Sequence, residues 1–185
     1  MRKLKLQMQL SVDGFVAGPN SEMDWMHWNW DEELLTFVSN LTDSIDTILL
    51  GRKMADGFIS HWATVVENPN DPSRAFGKKM TDTPKVVFTK TLDKSWPNTT
   101  LAKNDIADEV AKLKNQAGKD IIVYGGANFV SSLISRSLID ELYLFINPTA
   151  IGKGMQIFID RTKFQLITAK PFECGIVLLC YRPIQ

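Results

Sequence analysis

Residues without side chains, placed where an apolar run ends, are the first chemistry this sequence offers. Ile121, Ile122, Val123 and Tyr124 form a continuous apolar run that stops at Gly125 and Gly126, and Phe129, Val130, Leu133 and Ile134 follow at helical spacing. A strand that passes through Gly-Gly into a helix leaves bare backbone N–H groups at the positive end of the helix dipole, where a pyrophosphate can approach closely. Taken alone the signal is weak, because glycine pairs at strand ends are also plain turns. Gly51, followed by Arg52 and Lys53, closes a second short apolar run and opens a second helix. Two convergent anion sites suggest one dinucleotide.

Acids come next, because reduction of a bound molecule often needs a proton. Glu33 sits one turn before Phe37 and two before Leu41, at the edge of an apolar stripe. A carboxylate held there has its charged form disfavoured and can donate a proton. With Asp31 and Glu32 it equally completes an acidic first turn that suits the helix dipole. Asp24, beside Trp25, is the rival acid, and a solvated turn residue is its other reading. Asp13, in SVDGF, is a candidate substrate contact that also fits an Asx turn. Trp25, Trp28 and Trp30 crowd around His27 and offer either stacking faces for a planar heterocycle or rim packing. His27 and His61 are the only histidines, with no Cys or carboxylate at ligand spacing, so no metal is expected. No serine or cysteine has a nucleophile context such as G-x-S-x-G.

The elements that must carry these groups follow from periodicity. Leu4, Leu6, Met8 and Leu10 alternate with Lys3, Lys5, Gln7 and Gln9, which predicts a strand over 2–10 with one buried face. A long loop with an apolar foot at Phe15 and Val16 follows, and Leu34, Phe37, Val38 and Leu41 predict an amphipathic helix from Asp31. Residues 47–50 read as a buried strand, a helix runs from Arg52 to before His61, and residues 67–74 are a surface loop. Residues 85–89 are a strand, 104–118 hold a helix, and 121–124 are a strand before the Gly-Gly helix. After residue 140 come strands alone, the last two joined near 173–175 as a hairpin. The expected fold class is α/β: a three-layer α/β/α domain on a mixed, mostly parallel sheet that ends in antiparallel strands. A single domain over 1–185 is expected, with no repeat or linker.

Bulk properties exclude several functions. Lys plus Arg and Asp plus Glu are each 21, so no net field draws the protein to nucleic acid or to a membrane surface. Local cations can still hold a nucleotide. Cys174 and Cys180 on one extended segment stand about 20 Å apart, beyond the roughly 7 Å reach of a disulfide, which predicts reduced thiols on a strand. With no apolar leader in MRKLKLQMQL and no run of about 18 apolar residues, a cytoplasmic location is expected.

SVDGFVAGPNSEMDW, LLGRK, KVVFTKTL and IIVYGGANFVSSLISRSLIDELYLFINPTAIGKG occur in this order and span nearly the whole chain. Together they resemble the dihydrofolate-reductase-like family that includes the reductase domain of riboflavin biosynthesis. The resemblance implies that Gly51, Arg52, Lys53, Met54, Thr89, Lys90 and the run Gly125, Gly126, Ala127, Asn128, Phe129 hold the cofactor. It also implies that the first loop covers the nicotinamide around Val16, Ala17 and Gly18, with Trp25 nearest a substrate. Lys90 and Arg52 favour a 2′-phosphate, hence NADPH, and Glu33 is similar in position to the helix carboxylate of dihydrofolate reductases. Relatives commonly carry Thr where this chain has Met54, which removes a hydroxyl that could hold a phosphate. The implied activity is reduction of a small heterocycle such as the ribosylaminouracil of riboflavin synthesis, by a homodimer. A dihydrofolate reductase proper and a nucleotide-binding module without catalysis are the alternatives.

Overall fold

A computed structural model describes residues 1–94 and 96–184. Eight strands form one sheet: β1 (Leu4–Ser11), β2 (Ile45–Gly51), β3 (Lys85–Phe88), β4 (Thr99–Ala102), β5 (Asp120–Gly125), β6 (Glu141–Asn147), β7 (Phe164–Pro171) and β8 (Val177–Pro183). Their spatial order is β4-β3-β2-β5-β1-β6-β8-β7. The pairs from β4 to β6 are parallel, while β8 is antiparallel to both β6 and β7. Five helices connect them: α1 (Glu32–Asp43), α2 (Arg52–Glu67), α3 (Arg74–Asp82), α4 (Ile106–Lys114) and α5 (Ala127–Ser135).

The apolar stripes of the helices are buried on opposite faces of the sheet, giving three layers. Leu4, Leu6, Met8 and Leu10 pack with Val110 of α4 and with Val130, Leu133 and Ile134 of α5. On the other face, Leu41 of α1, Ala55 of α2 and Met80 of α3 pack on Ile48, Leu50, Val87 and Ile122. A third cluster joins Leu34 and Val38 of α1 to Phe145, Phe172, Ile176 and Leu178. Membership of two clusters on one helix shows that α1 lies across β6 and β8 as well as the centre of the sheet.

The structure corrects four local expectations. β1 is buried on both faces, because it is the fifth of eight strands and α1 covers the side that carries Lys5 and Gln7. α2 continues past His61 to Glu67, since Trp62 and Val65 still have the core and Phe76 to pack against; tertiary burial outweighs the poor helix propensity of its β-branched end. α3 and the short edge strand β4 add elements that local periodicity did not announce. Cys174 lies in the turn between β7 and β8 and not on a strand; it and Cys180 are both free thiols. No helix among the described residues is long and apolar enough to cross a membrane.

Candidate active site

Strand order defines where a ligand can enter. From β2 the chain moves outward to β3, whereas from β5 it crosses β1 to reach β6, so the connections diverge between the adjacent strands β2 and β5. In open α/β sheets such a divergence leaves a crevice beyond the carboxyl ends of the strands. Gly51 ends β2 and Gly125 ends β5 at that place.

Two helices start there, and neither is capped by a side chain. Gly51 is the N-cap of α2 and Gly126 of α5, and no side chain accepts their first N–H groups. By contrast, Asp31 caps α1 through Leu34 N and Asp105 caps α4 through Ala107 N. The two open ends also touch. A side chain at Gly51 would come within 3.0 Å of Gly126 N and 2.8 Å of Phe129 Cβ, so only glycine permits the approach. Gly125 has φ +145°, and its peptide bond to Gly126 is cis. Around Gly126 the space is open, with only Met54 Cβ at 3.8 Å from an added Cβ. The uncapped first turns of both helices, each with positive helix-end potential, thus start side by side, and the space beside Gly126 is open.

The flanking residues fit an anion. Arg52, Lys53 and Lys90 are exposed, and among the described residues they make no ion pair. Thr89, just past the end of β3, is buried, and its Oγ1 accepts from Leu92 N at 3.0 Å and Thr91 N at 3.3 Å; Lys90 follows at the same edge. Phe129 packs against Phe88 in a tilted pair with ring centroids 4.7 Å apart, which makes its ring a core contact and leaves its amide as the group a ligand could use. Met54 lies over Gly125, its sulfur 2.5 Å from where a Cβ would stand, and so fills the side of Gly125 without covering Gly126. Ala127 and Asn128 occupy the first turn of α5.

The loop after β1 is tied down at its foot. Val16 N donates to Met155 O at 2.9 Å and Met155 N to Ala17 O at 2.8 Å, while Gly18 N donates to Glu22 O. Val16 and Ala17 are buried, which holds the loop beside the ends of β1 and β6. Asp13 is spent on this anchoring: it accepts from Ser11 Oγ at 2.6 Å, Gly152 N at 2.7 Å and Ile151 N at 3.1 Å. Those bonds, led by Ser11, hold its carboxyl below the usual range. It thereby clamps the start of the loop to the segment that follows β6.

The carboxylates part ways. Glu33 is not at a buried edge: its side chain is 60% exposed and pairs with Lys170 of β7 at 2.7 Å. α1 is rotated so that Leu34, Val38 and Leu41 take the core, which turns Glu33 to the outer hairpin. Asp24 is exposed on a turn of the loop and makes no ion pair among the described residues. Trp25 Nε1 donates to Glu22 O at 3.1 Å and Trp30 Nε1 to His27 O at 2.7 Å, and Trp28 stacks on Trp30. These rings therefore brace their own loop, with Trp28 the most exposed.

Sequence reasoning passed over Asn147. Asn147 is fully buried, accepts from His27 N at 2.9 Å and donates to Gln9 Oε1 at 2.8 Å, joining the loop to β1 and β6. A lone asparagine ending an apolar strand was the available signal.

Residues 2–178 match the family model of the RibD C-terminal domain. The chain is 32% identical over 185 residues to the Bacillus subtilis (strain 168) protein YyaP, covering 97% of this chain and 94% of that one. Its fold is similar to the Thermotoga maritima diaminohydroxyphosphoribosylaminopyrimidine deaminase/5-amino-6-(5-phosphoribosylamino)uracil reductase, with TM-score 0.68 and 17% identity over 99% of this chain and 57% of that one. It is also similar to Enterococcus faecalis dihydrofolate reductase complexed with NADP(H) and RAB-propyl, with TM-score 0.62 and 14% identity over 99% of this chain and 97% of that one. The fold is dihydrofolate-reductase-like.

Proposed function

Because the chain belongs to the RibD C-terminal domain family, a family of reductases, we propose that it is an NADPH-dependent reductase of a small heterocycle, similar to the uracil reductase of riboflavin synthesis. The observation that carries this reading is the meeting of two uncapped helix starts at Gly51 and Gly126. Bare amides at both ends suit a pyrophosphate, and the exposed Arg52, Lys53 and Lys90 suit a further phosphate on the ribose. Bound NADPH would supply the hydride. The protein's part is to clasp the phosphates with the first turns of α2 and α5 and to cover the ring with the loop from Val16 to Gly18. Asp24 is the one of the two carboxylates free to pass a proton from that loop, since Glu33 is engaged by Lys170. The same engagement disfavours a dihydrofolate reductase proper, which would need the helix carboxylate.

Tryptophan fluorescence titrated with NADPH and NADH tests the cofactor, and oxidation followed at 340 nm with the ribosylaminouracil phosphate and with dihydrofolate tests the reaction. Tight NADPH binding with turnover of the uracil is expected. Absence of NADPH binding would overturn the reading, and binding without turnover on either compound would favour a nucleotide-binding module.

A further inference from the structure

Away from the crevice, α2, α3 and the amino end of β3 enclose a cavity of about 110 Å³ lined by Ile59, Trp62, Ala63, Thr81, Lys85 and Pro97. Ile59, Trp62, Ala63 and Pro97 make its wall apolar. The Trp62 ring is braced edge-on by Phe58 at 6.2 Å and Phe76 at 5.3 Å, so that wall is in place before any ligand arrives. Ile59, Trp62 and Ala63 are half-buried and Pro97 is exposed, which leaves the cavity a mouth toward solvent.

The polar end of the cavity is a buried cation. Thr81 spends its hydroxyl proton within α3, on Gly77 O and Lys78 O. Lys85 is 2% exposed, and its Nζ donates to Thr81 O at 3.0 Å and Thr83 O at 2.8 Å, the carbonyls that end α3. Capping the negative end of that helix accounts for two of the three N–H groups of an ammonium. Among the described residues the third has no acceptor, and Lys85 makes no ion pair. Burial lowers its pKa to about 8 and the nearby Asp82 offsets only part of that, so at pH 7 the side chain is still largely charged. Buried charges are ordinarily paired, whereas this one is bonded to neutral carbonyls and faces an apolar cavity.

We propose that this cavity binds a short aliphatic carboxylate, whose chain lies against Ile59, Trp62 and Ala63 and whose carboxylate accepts the remaining Lys85 N–H. One cation asks for one negative charge; a phosphate or sulfate would bring a second charge into apolar surroundings at a cost. The volume, about 110 Å³, is nearly four times the roughly 30 Å³ share of a water in the liquid, which gives room for a chain of about four carbons. Both Lys85 bonds to α3 survive, because the ammonium has a donor for each partner. The cavity lies at the other end of β3 from Thr89, so this inference does not depend on what the crevice binds.

Titration with butyrate and with butyramide, its uncharged counterpart of the same shape, followed by ¹H–¹⁵N NMR at pH 7, tests the proposal. The Trp62 indole N–H, identified by its loss in Trp62→Phe, reports occupancy. Butyrate should move that resonance with a millimolar Kd, and butyramide should bind at least about tenfold more weakly, as expected when a charge-assisted bond is replaced by a neutral one. Lys85→Met should lose at least about tenfold in butyrate affinity for the same reason. Ala63→Leu, which fills the cavity and keeps the lysine, should lose butyrate binding while its melting temperature stays within a few degrees of wild type. Butyrate that leaves the Trp62 resonance in place, or binds no better than butyramide, overturns the proposal, as does affinity that survives in Lys85→Met or in folded Ala63→Leu. The comparison of the two compounds on wild type decides the matter even where a substitution fails to fold.

Discussion

At Gly125 and Gly126 the same added methyl group has opposite consequences. Gly125 holds φ +145°, where L residues are strained, and its Cβ would press on the Met54 sulfur. Gly126 has φ −82° and ψ 177°, ordinary extended backbone, with open space around it. Gly125→Ala should therefore cost more than about 1 kcal/mol in urea unfolding. Gly126→Ala should leave the melting temperature unchanged and weaken NADPH binding at least tenfold, because the methyl occupies the space a phosphate needs. Equal losses of stability and affinity at Gly126 would contradict an anion site. Glu33 gives a second test at this scale: paired with Lys170 on the outer hairpin, Glu33→Gln should keep kcat within about twofold, whereas general acids typically contribute about 10²-fold or more. Asp24→Asn should show the larger loss, read at 340 nm.

Among the elements, helix starts divide by task. α1 and α4 are closed by Asp31 and Asp105, whereas α2 and α5 are left open at the crevice. Asp31 does two jobs, accepting from Leu34 N at 2.8 Å and from Cys174 N at 2.9 Å, and so pins α1 to the β7–β8 turn. Both backbone bonds, Leu34's the larger, hold its carboxyl below the usual range. The stability it contributes is present above the ordinary carboxylate pKa and is lost as pH falls through the lowered one. Asp31→Ala should lower the melting temperature by a few degrees at neutral pH and much less at pH 2. NADPH affinity should not move, since this contact lies across β6 and β8 from the crevice.

For the whole molecule, pH and ligand act through linkage. Lys85, 2% exposed at the start of β3, donates to Thr81 O at 3.0 Å and Thr83 O at 2.8 Å, with Asp82 nearby only partly offsetting its burial. Burial lowers its pKa to about 8, so from about pH 8 to the unfolded value of 10.5 the unfolded chain binds more protons than the native one. Stability should rise with pH across that window, and Lys85→Met should flatten the rise in urea melts at pH 7, 8, 9 and 10. NADPH at about 100 times its Kd should raise the melting temperature by roughly 5–10 °C, from about 2.7 kcal/mol of linkage. The sequence by itself determined the element types, the layered class and the two Gly-ended strands, because apolar period, caps and chain-breaking glycines are local properties. It misjudged Lys5 and Gln7 as a solvent face and Glu33 as a buried edge. Whether a strand face meets water or a helix depends on which strands flank it, and β5 reaches its place between β2 and β1 only through contacts far apart in the chain. Tertiary structure alone decided that Gly51 meets Gly126, that Glu33 meets Lys170, and that Lys5 and Gln7 are buried. Those outcomes come from packing between distant segments, which no local spacing encodes.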